Sequence, residues 1–280
     1  MSKKASLSFS LLLLQLLIPT LWVSGSAQEV KINISTPEQI ANEFKEVPCK
    51  DEERLNAVKA LFEKAGATPS EVSIVKYKNV ENLVVLKRGA SEEKIVVGAH
   101  YDKVSDGCGA VDNWTGIVTL VHLYKTLKEV PIQKTILFVA FGKEEKGLIG
   151  SAAMAGSISK DQVKEYCAMI NIDSLGLGAP QVARNMSSIK LEEAAARLAK
   201  DMKMRFFNAS IEGADSDSSS FIKKGIPALT IHGLTNEWSS ILHSGKDQPA
   251  KVNSDGVYLG YRLALALLAT VNETPCGSFR

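Results

Sequence analysis

Four short runs of mostly apolar residues stand out along the chain, at 94–99, 134–141, 168–172 and 227–231. Runs of this length without polar alternation are typical of strands that are buried on both faces of a sheet. Between them, apolar residues recur at the three- and four-residue spacing of helices that bury one face. The pattern therefore predicts an α/β fold in which helices cover both faces of a largely parallel sheet.

The remaining segments complete this prediction. Helical spacing of apolar residues is present at 37–47, 51–66, 115–128, 147–158, 189–204 and 254–271. Residues 72–77 and 83–87 are predicted to form an antiparallel pair of strands. No internal repeat and no shift in composition divides the chain. Residues 28–280 are therefore predicted to form one domain, a three-layer sandwich with a mixed, mostly parallel sheet.

The first 27 residues carry a different pattern, which predicts a secretory signal peptide. Lys3 and Lys4 precede an apolar run at 9–23, and small residues lead to Ala27, after which we expect cleavage. The alternative is an uncleaved membrane anchor, but the run is shorter than the roughly 20 residues of a typical span. We therefore expect a secreted or periplasmic protein without a stable membrane anchor.

The net charge of the chain indicates which kinds of partner to expect. The 280-residue chain contains 33 basic and 31 acidic residues, and the two lysines of the predicted signal peptide account for the difference. Nucleic-acid-binding domains commonly carry a marked basic excess on one face. We therefore expect no nucleic-acid partner.

Export also changes what the four cysteines indicate. Cys49, Cys108, Cys167 and Cys276 lack the Cys-x-x-Cys spacing of zinc ribbons and thioredoxin-type redox sites, whereas an oxidising compartment allows disulfides. Sequence alone leaves three pairings open. A Cys49–Cys276 bridge is favoured because the two ends of a domain commonly lie close together. Cys108 and Cys167 are then candidates for buried thiols.

Imidazole and carboxylate side chains follow the buried strands at the points where those strands end. They are His100, Asp102 and Asp112 after the first strand, Glu144 and Glu145 after the second, Asp173 after the third, and His232 and His243 after the fourth. The carboxyl ends of parallel strands meet at one edge of a sheet, where ligands bind. Several acids and histidines gathered there would repel one another and be poorly solvated without a cation.

The mixture of ligand types indicates which cation fits. Imidazoles together with carboxylates suit zinc, with manganese or cobalt as possible substitutes, whereas calcium takes oxygen ligands. Five ligands exceed one tetrahedral site, so we expect two ions that share a bridging carboxylate. The adjacent acids Glu144 and Glu145 allow one to bind metal while the other accepts a proton.

The same residues lie within runs that resemble the co-catalytic zinc peptidases. That family includes bacterial leucyl aminopeptidases and glutamate carboxypeptidases, with glutaminyl cyclases as relatives. The similarity covers about residues 80–270 in the family's order. The runs are GAHYD (98–102), GAVDNWTG (109–116), KEEKGLIGS (143–151), NIDSLG (171–176), DSDSSSFIKKGIPAL (215–229) and HSGKD (243–247).

The resemblance implies a three-layer zinc-exopeptidase fold and two zinc ions per chain. The implied metal ligands are His100, Asp112, Glu145, Asp173 and His243. Asp112 would bridge the two ions, with His100 and Asp173 on one of them and the remaining two ligands on the other. Glu144 would be the general base. Asp102 would fix the tautomer of His100 from behind.

The activity implied is that of a secreted metallo-exopeptidase, an aminopeptidase that takes peptides with a free N-terminus. One alternative is a glutaminyl-peptide cyclotransferase with a single zinc, although the run KGLIGS at 146–151 is more similar to the peptidases. A carboxypeptidase or dipeptidase on the same site is a second alternative, and a family member that only binds is a third. Neither a Gly-x-Ser-x-Gly elbow nor a His-Glu-x-x-His helix occurs, which excludes serine-hydrolase and thermolysin-like sites.

The substrate pocket is the part on which the sequence is least informative. The candidates are Tyr101, Trp114, His232 and Trp238. Tyr101 and His232 are positioned to donate to a developing oxyanion. Two interpretations stay open for Trp114, which either shapes the cleft or packs beneath the next helix, and for His232, which either lines the pocket or packs in the core. Ser218 stands where the family commonly has histidine, and Asp247 is expected to hold a loop.

Overall fold

The computed structural model describes residues 32–44 and 46–280 and has the predicted α/β fold. The predicted signal peptide, 1–27, lies outside the described residues. The helices are α1 (Pro37–Glu43), α2 (Asp51–Lys64), α3 (Thr115–Leu127), α4 (Ile149–Ser157), α5 (Ile189–Asp201), α6 (Ser218–Lys223) and α7 (Ser254–Glu273). The strands are β1 (Val72–Tyr77), β2 (Val80–Lys87), β3 (Ser91–His100), β4 (Lys134–Phe141), β5 (Tyr166–Ile172), β6 (Gln181–Ala183), β7 (Phe207–Ala209) and β8 (Ala228–His232).

The strands form one mixed sheet with a parallel centre. Its order is β1-β2-β4-β3-β5-β8-β6-β7. The four neighbouring strands β4, β3, β5 and β8 run parallel, and they are the four apolar runs of the sequence. The predicted antiparallel pair is β1 with β2, and β2 and β6 each join the parallel centre in antiparallel orientation.

Alternate residues of the central strands belong to two separate cores, one on each face of the sheet. Val97 of β3 packs in the core that contains α1, α2, α3, α5 and α7, whereas its neighbour Val96 packs with α4 and α6. Both valines are fully buried. Burial on both faces explains why these strands are apolar without alternation, and it produces the three predicted layers.

The strand register places the ends of the central strands level with one another. His100 pairs with Phe141, and Ile172 pairs with Ile231. Residues that follow β3, β4, β5 and β8 therefore leave the sheet at its carboxyl edge, within the strand spacing of about 5 Å from their neighbours.

The predicted Cys49–Cys276 disulfide is wrong, because the two ends of the fold lie at opposite edges of the sheet. Cys49 precedes α2 and is bonded to Cys108 in the loop after β3, at the carboxyl edge. Cys276 follows α7 and is bonded to Cys167 at the beginning of β5, at the amino edge.

Three short elements were not predicted. Strands β6 and β7 have three residues each, and α6 has six, which is too short for a periodic pattern to emerge. Among the described residues, no helix combines the length and the apolarity that a membrane span requires.

Candidate metal centre

The carboxyl edge of the sheet brings together the five residues that the sequence proposed as metal ligands. His100 is the last residue of β3, Glu145 follows β4, and Asp173 follows β5. Asp112 lies in the loop between β3 and α3, and His243 in the long loop after β8. Residues far apart in the chain thus meet because the parallel strands end together.

Asp112 lies at the middle of this group. Its Oδ1 is 3.1 Å from Nε2 of His100, and its Oδ2 is 3.1 Å from Nε2 of His243. Glu145 Oε2 is 3.0 Å from the same nitrogen of His243. Asp173 Oδ1 is 3.6 Å from Nε2 of His100. Each oxygen of the Asp112 carboxylate therefore faces a different histidine.

These contacts define two sets of donor atoms that share Asp112. One consists of His100, Asp112 and Asp173, and the other of Asp112, Glu145 and His243, with the donors in each set within 4.8 Å of one another. His100, Glu144 and Glu145 also satisfy this distance. Sets of nitrogen and carboxylate donors with one shared acid are suited to two neighbouring transition-metal ions.

The electrostatics of the site point to the same conclusion. Burial alone would lower the pKa of His100, but the surrounding carboxylates, Glu144 foremost, raise it well above its usual value. Hydrogen bonds to Asp112 and Glu145 raise the pKa of His243 to about 10. Burial raises the pKa of Glu144 well above the normal range. The acids thus retain protons on the imidazoles, and bound cations would replace those protons.

Asp102 lies beside His100, where the sequence places it, and its carboxylate also contacts the double acid. Its carboxylate accepts hydrogen bonds from the main-chain N–H groups of Glu144 (3.0 Å) and Glu145 (3.2 Å). Nδ1 of His100 lies 3.2 Å from the main-chain oxygen of Asp102 and 3.6 Å from its carboxylate. The carbonyl therefore orients the imidazole with Nε2 toward Asp112, and the carboxylate positions the double acid.

The loop that carries Asp112 is held from two sides. The Asp247 carboxylate accepts hydrogen bonds from the N–H groups of Val111 (2.7 Å) and Asp112 (3.1 Å), which confirms that Asp247 holds a loop. Asn113 donates to the carbonyl of Ile172 at the end of β5. A Cβ at Gly116 would approach Asn113 Oδ1 to 2.3 Å, so this close contact requires glycine.

A third support, Arg54 of α2, was not recognised in the sequence. Its side chain is fully buried and donates to the carbonyls of Tyr101, Cys108 (2.9 Å) and Gly109 (3.1 Å). The guanidinium carbon lies 5.0 Å from the centre of the Trp114 ring, a cation–π distance. Helix α2 contains many charged residues that face solvent. In the sequence, a buried arginine among them looks the same as an exposed one.

Two further acids follow β5 and precede α6, namely Asp173, which the sequence singled out, and Asp217, which it did not. Ser216 Oγ donates to Asp173 Oδ2 at 2.6 Å, which leaves the other oxygen toward His100. Asp217 is fully buried, and its carboxylate has no hydrogen-bond partner among the described residues. Burial raises the pKa of Asp217 to about 7.

Four of the five ligand candidates, together with Glu144, border a cavity of about 320 Å³, a size suited to a small ligand group. Asp112, Glu144, Glu145, Asp173 and His243 line its acidic side. A cluster of apolar residues lines another side: Met186, Ile211, Leu234, Trp238 and Leu242. The cavity therefore joins the charged donor cluster to an apolar wall.

Comparison with known families decides what kind of protein carries this site. The model described as "Peptidase family M28" matches residues 82–267, well over half of the chain. The chain belongs to peptidase family M28. The membership confirms the resemblance to the zinc peptidases, and the matched residues contain all five proposed ligands.

Individual relatives in sequence cover only part of the molecule. Aminopeptidase YwaD of Bacillus subtilis (strain 168) is 34% identical over 99 residues, which are 34% of this chain and 22% of that protein. Aminopeptidase Y of Saccharomyces cerevisiae is 28% identical over 169 residues, 58% of this chain and 31% of that protein. The M28 chain thus spans about a fifth to a third of these relatives.

Solved structures share the fold over most of the chain. The Legionella pneumophila LapA aminopeptidase superposes with a TM-score of 0.73 at 20% identity, covering 87% of this chain and 71% of LapA. A glutaminyl cyclase from an Acidobacteriales bacterium gives a TM-score of 0.74 at 18% identity, covering 89% of this chain and 97% of the cyclase. At these identities, the similarity establishes the M28 fold.

Two of the four pocket candidates lie elsewhere in this M28 protein. The Tyr101 hydroxyl donates to the carbonyl of Glu81 at 2.9 Å, so it is turned away from the cavity. Trp114 is buried beneath the beginning of α3 against Arg54, which is the packing interpretation. His232 and Trp238 both line the cavity. Ser218 is buried and donates to the carbonyl of Met186 at 2.8 Å.

Proposed function

We propose that this protein is a secreted zinc aminopeptidase that hydrolyses N-terminal residues from peptides. The observation that carries the proposal is the pair of donor sets that share Asp112, with Glu144 beside them and outside both. Relatives in the same family are named aminopeptidases, which supports this activity.

The donor chemistry fits two zinc ions. His100, Asp112 and Asp173 would hold one, and Asp112, Glu145 and His243 the other. Buried Glu145 Oε1 has no hydrogen-bond partner among the described residues, as expected for an oxygen reserved for a cation. When bound, zinc would lower the pKa of water and polarise a peptide carbonyl.

Glu144 is positioned to transfer the protons of hydrolysis. Its carboxylate lines the cavity and lies 3.9 Å from Nε2 of His100. As a water oxygen attacks the scissile carbonyl carbon, the water proton passes to Glu144. When the C–N bond breaks, Glu144 returns that proton to the leaving nitrogen.

The charge of the cavity favours an N-terminal over a C-terminal substrate. Its lining includes Asp215 in addition to the four acids of the reaction centre, and it includes no lysine or arginine among the described residues. A free α-ammonium group is attracted to such a surface. A carboxypeptidase would require a cationic group for the C-terminal carboxylate.

Aminoacyl-7-amido-4-methylcoumarins with free and with acetylated N-termini test this proposal. The wild-type protein with zinc should release the fluorophore from the free substrates only. Glu144→Gln should keep both metals, counted by mass spectrometry, while kcat falls about 10²–10⁴-fold. Full turnover by Glu144→Gln, or equal cleavage of acetylated substrates, would contradict the proposal.

A glutaminyl-peptide cyclotransferase is the second candidate, favoured by the nearly complete coverage of the solved cyclase. Incubation with a peptide that begins with Gln separates the two functions. An aminopeptidase releases free glutamine, whereas a cyclotransferase leaves the peptide intact apart from the loss of ammonia. One zinc per chain together with ammonia loss would establish the cyclotransferase.

The secreted location is also a proposal, supported by the residue pattern of 1–27. Expression of the full chain followed by amino-terminal sequencing of the exported protein tests it. The mature sequence should begin with Gln28. A protein that stays in the membrane fraction with residues 1–27 intact would show an anchor instead.

A further inference from the structure

His232 combines two properties that the reaction at Glu144 does not use. It lines the cavity and is only 4% exposed. Its Nε2 is shielded from solvent and has no hydrogen-bond partner among the described residues. Buried polar atoms nearly always have a partner, so an unpaired one beside a ligand cavity indicates that the ligand provides it.

The hydrogen-bond pattern determines which nitrogen of His232 carries the proton. The main-chain N–H of Leu234 donates to Nδ1 at 3.1 Å. Because an N–H group can only donate, Nδ1 is the acceptor of the neutral ring, and the proton is on Nε2. Burial lowers the pKa of His232 to about 4, so the ring is uncharged at neutral pH. His232, which lines the cavity, therefore carries a fixed N–H donor on a neutral ring.

The strand register shows where that donor stands. Ile231 pairs with Ile172, which puts His232 level with the metal-ligand candidate Asp173 on the neighbouring strand. On its other side, His232 continues into Leu234, a member of the apolar wall. His232 thus stands at the cavity, between Asp173 on the neighbouring strand and the apolar wall that follows in the chain. In the proposed aminopeptidase, the N-terminal side chain of a substrate would extend toward that wall.

We propose that His232 determines specificity, selecting substrates whose N-terminal side chain carries an uncharged hydrogen-bond acceptor. This inference rests on the aminopeptidase function proposed above. The aliphatic part of such a side chain contacts the apolar wall, and its acceptor pairs with Nε2–H. A hydrocarbon side chain of the same length fills the same volume but leaves the buried donor unpaired, which is strongly penalised.

Glutamine and norleucine are the matched probes, since they have similar length and differ in the carboxamide. The wild-type protein should have a higher kcat/KM for the glutaminyl than for the norleucyl coumarin amide. His232→Met removes the donor at similar volume and should lower that ratio at least about tenfold. His232→Gln places an amide N–H near the original Nε2 and should restore it. Both variants should keep the zinc content of the wild-type protein, counted by mass spectrometry, which reports an intact centre.

Binding of the free amino acids separates failure of this inference from failure of the proposed function. Isothermal titration of zinc-loaded protein with L-glutamine and L-norleucine needs no turnover. Tighter binding of glutamine that is lost in His232→Met supports the specificity role even if no amide is cleaved. An unchanged preference in His232→Met, by cleavage and by titration, would overturn it.

Discussion

At the scale of single residues, Asp112 is the side chain on which both donor sets depend. Its two oxygens face different histidines, so removing its charge affects both sets at once. Removing a residue that only hydrogen-bonds to a metal ligand typically weakens metal binding by roughly 10–100-fold. Asp112→Asn should weaken zinc binding by more than this, because it alters a ligand itself. Metal content after dialysis measures this. Asp106→Asn, an exposed change in the same loop, should retain the wild-type content.

Because the pKa values of the histidines are raised, the stabilisation of the fold by zinc should depend on pH. In metal-free protein, protonated His100 and His243 stabilise the fold below their unfolded pKa near 6.5, and this contribution is lost as pH rises through the folded value, about 10 for His243. Zinc binds the neutral rings, so its affinity rises over the same interval. The difference in Tm between zinc-loaded and chelator-treated protein should therefore grow from about pH 6 to about pH 9. A constant difference would contradict these pKa directions.

At the scale of elements, α2 supports the metal centre although it contributes no ligand to it. Arg54 donates both to the carbonyl of Tyr101, which follows His100, and to the carbonyls of Cys108 and Gly109, which precede Asp112. Arg54→Met should cost about 2–4 kcal/mol of unfolding free energy, because buried carbonyls lose their donor, and it should also weaken zinc retention. The same change at exposed Arg197, whose one ion pair among the described residues is with Glu193, should cost under about 0.5 kcal/mol. Equal effects at the two positions would assign Arg54 no special role.

Sequence reasoning succeeded at the element scale where burial imposes a pattern. Strands β3, β4, β5 and β8 are apolar because both faces are covered, and the residues that follow them were identified by type and position. It failed where the partner is main chain. Arg54 contacts carbonyls, and the Asp102 carboxylate accepts from N–H groups, so no complementary side chain marks either role in the sequence.

At the scale of the whole molecule, the two disulfides stabilise opposite ends of the parallel strands. Cys49–Cys108 joins α2 to the ligand loop, whereas Cys167–Cys276 joins α7 to the beginning of β5. Replacing either pair by alanine should cost about 2–5 kcal/mol of unfolding free energy. Zinc retention should fall only for the Cys49/Cys108 variant. Equal zinc retention in both variants, measured beside their denaturant midpoints, would show that the first bridge has no local role.

The end of the chain, four residues beyond Cys276, lies at the amino ends of the strands. Arg280 donates to the carbonyls of Val163, Tyr166 and Gly225, which surround the amino ends of β5 and β8. The cavity opens at the opposite ends of those strands. Any segment that follows Arg280, whether an affinity tag, a fusion partner or a tether to a solid support, therefore emerges on the side of the sheet opposite the cavity and leaves the cavity entrance clear.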